Sequence, residues 1–381
     1  MTATDTGAPD PATADDRVPV GPRSAATTDG PATTRDGATT RPATDTDAGA
    51  TDPATAGSGP DRRLTVLPGP ELLPDVLPTD RLLAGGKPVP ELRTDLRRID
   101  DRRNVGSVLL TLAQPVVTIG AAIWLDNPLA WVAAFLLMGP VHARFAILAH
   151  EAAHKLLFTN KRWNDLVGKW LLSYPAFVPF DAYRRVHFAH HREEFGPDEP
   201  DMNLYAGYPI TRGSFRRKMR RDALGRSGWK NLRGLLSALR SRTARPLALR
   251  ILAAQLLVLV PLTLVGRPEL YLFLWLAPWL TVWRVINRLR AIAEHGGMTA
   301  SKDRRLTTHH VRQTWAARFV LVPFHTGWHL AHHVDMGVPW RNLPTLHHEL
   351  VAAGWVVPGL EYPSYRALWA ALRSRPDATA A

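Results

Sequence analysis

The sequence predicts an all-α integral membrane protein: four transmembrane helices in two hairpins, a cytoplasmic helical cap carrying clustered histidines, and a disordered N-terminal tail. Three observations point there. Four apolar stretches approach the roughly 20 residues that a helix needs to cross a bilayer. Two very short links join them in pairs, and the long segment between the pairs is strongly basic.

The apolar stretches are residues 105–125, 129–149, 247–265 and 270–286. Asp126-Asn127-Pro128 joins the first two, and Gly266-Arg267-Pro268-Glu269 joins the second two. Each stretch carries an internal proline (Pro115, Pro140, Pro261, Pro278). Membrane helices tolerate such kinks when neighbouring groups satisfy the freed carbonyls. Residues 155–245 hold 19 Lys+Arg against 8 Asp+Glu, whereas the two short links share a single Arg. Positive charge stays on the cytoplasmic side, so this segment and both termini are expected there, in the cell membrane. A further apolar stretch, 166–180, is too short and interrupted to span and is expected to lie in the interface.

The remaining chain follows from composition. Residues 1–63 consist mainly of Thr, Ala, Asp, Gly and Pro with almost no large apolar side chain, too little to offset chain entropy on folding. No apolar run follows a basic start, so a secretory signal is not expected. The expected organisation is therefore a tail (1–63), a basic cytoplasmic lead-in (64–104), a membrane domain (105–355) and a C-terminal tail (356–381). The chain of 381 residues has 47 Lys+Arg against 34 Asp+Glu, 15 His and no Cys. Without cysteine there are no disulfides, thiolate metal sites or thiol nucleophiles. The basic run 212–245 reads as a topological signal in contact with anionic lipid headgroups, with docking of an acidic electron carrier as the alternative. Nucleic acid is not expected as a partner.

Histidine carries the chemistry. His150-Glu151-Ala152-Ala153-His154 closes the second apolar stretch, His187-Phe188-Ala189-His190-His191 lies in the central basic segment, and His329-Leu330-Ala331-His332-His333 follows the fourth stretch. On a helix, positions i, i+3 and i+4 share a face, so each cluster can aim its imidazoles at one point. Neutral imidazole suits iron, zinc or copper, and ionisable groups at membrane level are costly and usually functional. HEAAH also matches HExxH, in which two histidines hold zinc and the glutamate is a general base. An intramembrane zinc protease would need only about three protein ligands, and eight clustered histidines exceed that.

The order HxxxH, HxxHH, HxxHH resembles the membrane fatty acid desaturase and hydroxylase superfamily. Pro179-Phe180-Asp181 through His187 resembles that family's approach to its second box, and Glu199-Pro200-Asp201 the acidic stretch after it. Arg290-Ala291-Ile292-Ala293-Glu294-His295 is similar to the segment supplying an additional ligand, and 338–347 to the tail after the third box. The resemblance covers about residues 100–355. It implies two irons held by His150, His154, His187, His190, His191, His295, His329, His332 and His333. Where acyl-CoA desaturases of this type carry an Asn, Ala291 stands, and His325 is the candidate to replace it as a ligand. Glu151, Glu294 and Asp201 are expected to orient ligand imidazoles by accepting their other N–H, and His142 to support the site without binding metal. His309, His310, His347 and His348 are expected at the surface or behind the ligands.

The function implied is O2-dependent introduction of a double bond into a fatty acyl lipid or acyl thioester. Electrons would come from a separate ferredoxin- or cytochrome-type donor. The alternative is hydroxylation or ketolation of a carotenoid or other lipid by the same centre, since Phe324 to His329 also resembles carotenoid ketolases. A metal-binding membrane protein without catalysis is the reading from outside enzymology. Product mass and reductant-driven O2 consumption separate the three.

Overall fold

In the computed structural model, residues 66–375 are described, so the expectation of a disordered tail over 1–63 falls outside the described residues. A short lead-in helix α1 (Pro90–Leu96) precedes α2 (Asp101–Leu125) and α3 (Pro128–Ala153). Both long helices begin with side-chain caps: Asp100 accepts from the Arg103 N–H and Asn127 from the Ala130 N–H, at 3.0 Å each. Between them Asp126 takes the left-handed conformation and turns the chain back.

The central segment is a series of shorter helices: α4 (Lys161–Val167) and a π-helical turn (Gly168–Ser173), α5 (Phe180–Glu193), α6 (Met202–Tyr205), α7 (Arg212–Ala223) and α8 (Arg226–Ala238). Helices α9 (Arg245–Ala254) and α10 (Leu256–Leu264) follow as one apolar path, then a π turn (Tyr271–Leu276), α11 (Ala277–Leu280) and α12 (Val282–His295). The chain ends with α13 (Trp315–Val320), α14 (His329–Val334), α15 (Leu343–Ala352) and α16 (Tyr365–Leu372). Two-residue strands β1 (His310–Val311) and β2 (Glu361–Tyr362) pair in parallel.

Among the described residues, three helical paths are long and apolar enough to cross a membrane: Asp101–Leu125, Pro128–Ala153 and Arg245–Leu264. The fourth expected span is not a continuous helix. The π turn widens the path ahead of Pro278, and at Thr281 (φ −122°, ψ −81°) it breaks before α12. A proline removes one hydrogen bond and presses on the carbonyl four residues back. Here the π turn changes the hydrogen-bond register just ahead of Pro278. Residues 166–180, expected as one interfacial helix, are the end of α4, the π turn and an irregular approach to α5. The segment 356–375, set apart as a tail by its sequence, folds back: Tyr365, Leu368 and Leu372 of α16 are buried.

Helix α2 leaves Leu109, Leu110, Val116, Val117 and Trp124 at least 59 % exposed, a face suited to lipid. Helix α3 is the central one, with 67 % of its apolar window buried against 28 % for α2. It meets α12 closely at Gly139, where a Cβ would lie 2.4 Å from Val282 Cγ1. At its other end Gly168 lets the π turn lie against Ala152, 2.6 Å from where a Cβ would sit. Arg184 of α5 then donates to the Ala152 and Ala153 carbonyls at 2.9 Å and pairs with Asp165. This ties the second histidine cluster to the end of the first. A separate apolar layer of Leu96, Leu330, Val334, Leu343, Leu346 and Trp355 packs α1, α14 and α15 together. The histidines therefore lie at a seam between the main core and this second layer.

Candidate metal centre

Helix α3 delivers His150, with His154 as its C-cap; α5 delivers His187, His190 and His191; α12 ends on His295; α14 supplies His329, His332 and His333. The fold brings these nine into two adjoining groups. In the first, the ligand atoms of His150, His154, His187, His191 and His332 all lie within 4.8 Å of one another. Nε2 atoms face each other there: His154 to His187 at 2.8 Å, His187 to His191 at 3.1 Å and His191 to His332 at 3.1 Å. In the second, the ligand atoms of His190, His295 and His333 likewise lie within 4.8 Å of one another. His329 joins them, its Nε2 3.0 Å from those of His295 and His333. The groups touch where the rings of His191 and His333 lie 4.4 Å apart, centre to centre.

The far nitrogens decide what this can hold. His190 Nδ1 donates to Glu199 (3.0 Å), His295 Nδ1 to the Thr307 carbonyl (2.9 Å) and His333 Nδ1 to Glu194. A neutral imidazole whose hydrogen sits on Nδ1 has only a lone pair at Nε2. The Nε2 lone pairs of His295 and His333 both point at His329, whose one ring hydrogen can serve at most one of them. A shared cation removes that conflict. The spacing agrees, because two nitrogens bound at right angles and about 2.1 Å from one ion are about 3.0 Å apart. Burial holds the imidazoles of His187, His191, His295, His329, His332 and His333 well below their ordinary pKa, in the neutral form that binds metal. Burial, the largest influence, also opposes charge on His190, but the Glu199 hydrogen bond together with the nearby charges of Glu199, Asp201 and Glu194 outweighs it and raises that pKa.

The three carboxylates expected to orient imidazoles differ in their surroundings. Glu151 accepts from the Trp340 backbone N–H at 3.1 Å, linking the first cluster to the segment after the third. Glu294 pairs with Arg290 at 3.1 Å and lies 3.7 Å from His329 Nδ1. Asp201 approaches His190, but its backbone N–H donates to Glu199, and Glu199 holds the imidazole. Glu194 and Tyr205, whose hydroxyl is 3.4 Å from His190 Nδ1, belong to no sequence motif, and Glu199 is marked there only as part of the acidic stretch. The signal for the two acids is proximity, since Glu194 and Glu199 follow His191 by three and eight residues.

His325 stands outside both groups. Its ring is 5.6 Å from Trp340, its Nδ1 has no partner, and it follows Phe324 in the left-handed region (φ 59° and 56°). His142 is remote from the centre and pairs with the Trp275 carbonyl at 3.0 Å. His309 is buried on the Gly296 carbonyl, His310 and His347 stack 4.5 Å apart, and His348 is exposed.

Such a set of convergent imidazoles, on a chain with helices long enough to cross a membrane, is compatible with iron binding. The sequence profile described as fatty acid desaturase matches residues 126–369, which contain all nine histidines. The chain belongs to the fatty acid desaturase family. It is 26 % identical over 235 residues to the dihydrorhizobitoxine desaturase of Bradyrhizobium elkanii, covering 57 % of this chain and 65 % of that protein. It is 37 % identical over 71 residues to the Delta(12) fatty acid desaturase of Mortierella isabellina, 18 % of either chain. With the chloroplastic omega-6 fatty acid desaturase of Glycine max it shares 32 % identity over 103 residues, 26 % of this chain and 23 % of that one. The chain thus spans just under two thirds of the first of these relatives and about a fifth of the others.

Proposed function

We propose that this protein is an O2-dependent membrane desaturase that introduces a double bond into a fatty acyl chain. The observation that carries the reading is the pair of adjoining histidine groups, with the Nδ1 hydrogens of His190, His295 and His333 in the second group tied outward. Five imidazoles (His150, His154, His187, His191, His332) would hold one iron and four (His190, His295, His329, His333) a second. Bound there, the irons would supply what no side chain offers, reduction of O2 and removal of hydrogen from an unactivated C–H bond. The overall change balances as CH2–CH2 + O2 + 2 electrons + 2 protons giving CH=CH + 2 H2O. The electrons come from a separate ferredoxin- or cytochrome-type carrier.

The chain's own groups do the rest. Glu199, Glu194 and the Thr307 carbonyl hold three rings in one tautomer and orientation. Burial of the nine rings, eight of them almost wholly, keeps bulk water from the reacting carbons. An apolar cavity of about 430 Å³ among α2, α3 and α10, lined by Leu112, Pro115, Ile119, Phe145, Leu262 and Trp275, suits a hydrocarbon. In this reading the broken 270–286 path makes the fourth crossing, and the termini, α4–α8 and the metals face the cytoplasm from the cell membrane. Labels at Arg217 would then be accessible from the cytoplasm, and labels at Asn127 and Pro268 from outside.

Two other substrates remain on the same centre. The Bradyrhizobium elkanii relative is named for dihydrorhizobitoxine rather than a fatty acid, and a carotenoid or lipid hydroxylase would share the ligands. The test is iron content of the purified protein together with lipid mass profiles of a host with and without the gene. We expect about two irons and a product lighter by two hydrogens. His190→Ala and His332→Ala should each abolish product and lower iron. A gain of one oxygen points to hydroxylation. One zinc with activity surviving His332→Ala refutes the centre.

A further inference from the structure

A cavity of about 230 Å³ opens directly onto the histidine groups, with His191 and His333 in its wall. Five cations surround it: Lys87 before α1, Arg93 and Arg97 on and just after α1, Arg192 of α5, and Arg304. Carboxylates fix four of them in place. Asp335, 2 % exposed, holds both Arg93 and Arg97 at 2.7 Å; Glu194 holds Arg304 at 2.6 Å; Glu193 holds Arg192 at 2.9 Å. Lys87 has no ion pair among the described residues, so two positive charges are in excess. Arg192 is 73 % exposed.

We propose that this basic opening is the docking site for an acidic electron-transfer protein. The inference rests on the desaturase reading, in which electrons must reach the centre from outside. The opening is smaller than the roughly 300 Å³ at which pockets for whole ligands begin. It is too small for an acyl chain, but it can take a carboxylate projecting from a partner. A substrate head group bound here would sit beside the metal-binding rings and hold mid-chain carbons far from them. An electron entering here has only one imidazole to cross before either group. The other basic surface, α7 and α8, exposes Leu224, Trp229 and Leu236 among its cations. That mixture suits a bilayer surface better than a soluble protein.

The test uses the full chain in detergent and an acidic [2Fe–2S] ferredoxin as the probe, with binding read by calorimetry at low and high salt. Wild-type protein should bind the ferredoxin, and salt should weaken the complex. The double variant Lys87→Glu/Arg192→Glu should weaken binding on the order of tenfold and flatten the salt dependence, with iron content unchanged. Arg217→Glu/Arg233→Glu on α7 and α8 should leave binding as it was. Turnover driven by ferredoxin should fall in the first variant, while turnover driven by dithionite should not.

No binding by the wild type, equal binding by the first variant, or a loss confined to the second overturns the proposal. So does an equal fall with dithionite, because the cations would then act on substrate. Phosphate that blocks dithionite-driven turnover would mark a small-anion site, with the same consequence. Because binding is read without turnover, absence of product in the wild type would refute the desaturase reading and leave the docking result standing.

Discussion

Replacing Glu199 should damage the centre more than replacing Asp201, although the two stand two residues apart. The Glu199 side chain is fully buried and accepts from His190 Nδ1 at 3.0 Å and from the backbone N–H groups of Asp201 (3.0 Å) and Phe195 (3.3 Å). Glu199→Ala would leave His190 Nδ1–H with only the long contact to Tyr205 and would leave two backbone donors unpaired. Loss of such a partner behind a metal-binding imidazole typically costs 10–100-fold in metal affinity or activity, about 1.4–2.7 kcal/mol. Each buried donor left unmade costs a further 1–3 kcal/mol or so in stability. Glu199→Gln keeps an acceptor oxygen and should lose less than about tenfold. Asp201→Ala removes no hydrogen bond to an imidazole and should stay within about threefold. The assay is iron retained per chain after dialysis against chelators of graded strength, alongside product rate. If Asp201→Ala releases iron more readily than Glu199→Ala, the assignment of Glu199 as the His190 partner is wrong.

Further outcomes follow from the same geometry. Glu151→Gln should keep the bond to the Trp340 N–H and lose less than about tenfold in activity, whereas Glu151→Ala should destabilise the fold by about 1–3 kcal/mol, read by thermal melting. His325→Ala should leave iron content unchanged, since the ring lies outside both groups; a lost iron would make it a ligand. Metal-free protein should weaken in mild acid. The buried imidazoles of His187, His332 and His333 have folded pKa values below the unfolded value of about 6.5, so at these sites the unfolded chain binds more protons below that pH. This stability is complete above about pH 6.5 and lost as pH falls, by up to about 1.4 kcal/mol per unit for each histidine. A melting temperature flat between pH 7.5 and 5.5 would contradict it. Arg217 shielded from a cytoplasmic label would overturn the orientation.

The three histidine clusters and the apolar stretches were legible in the one-dimensional pattern, because ligand spacing on a helix and the length of a bilayer span are local quantities. His295 is a lone histidine in the sequence and came only through resemblance. What the sequence could not decide depended on contacts between distant segments. Thr307 and Arg304 reach the centre because the chain after α12 folds back over it. Glu151 sits one residue from His150, yet its partner is Trp340, 189 residues away. His325 has the spacing of a ligand, but the left-handed backbone at Phe324 and His325 turns it toward Trp340 instead. The fourth apolar stretch has the composition of a span, and only the register change before Pro278 and the break at Thr281 show that it is not one helix. Composition and spacing set which groups can bind a metal; the packing of α3, α5, α12 and α14 against one another set which of them meet, and which nitrogen each one turns inward.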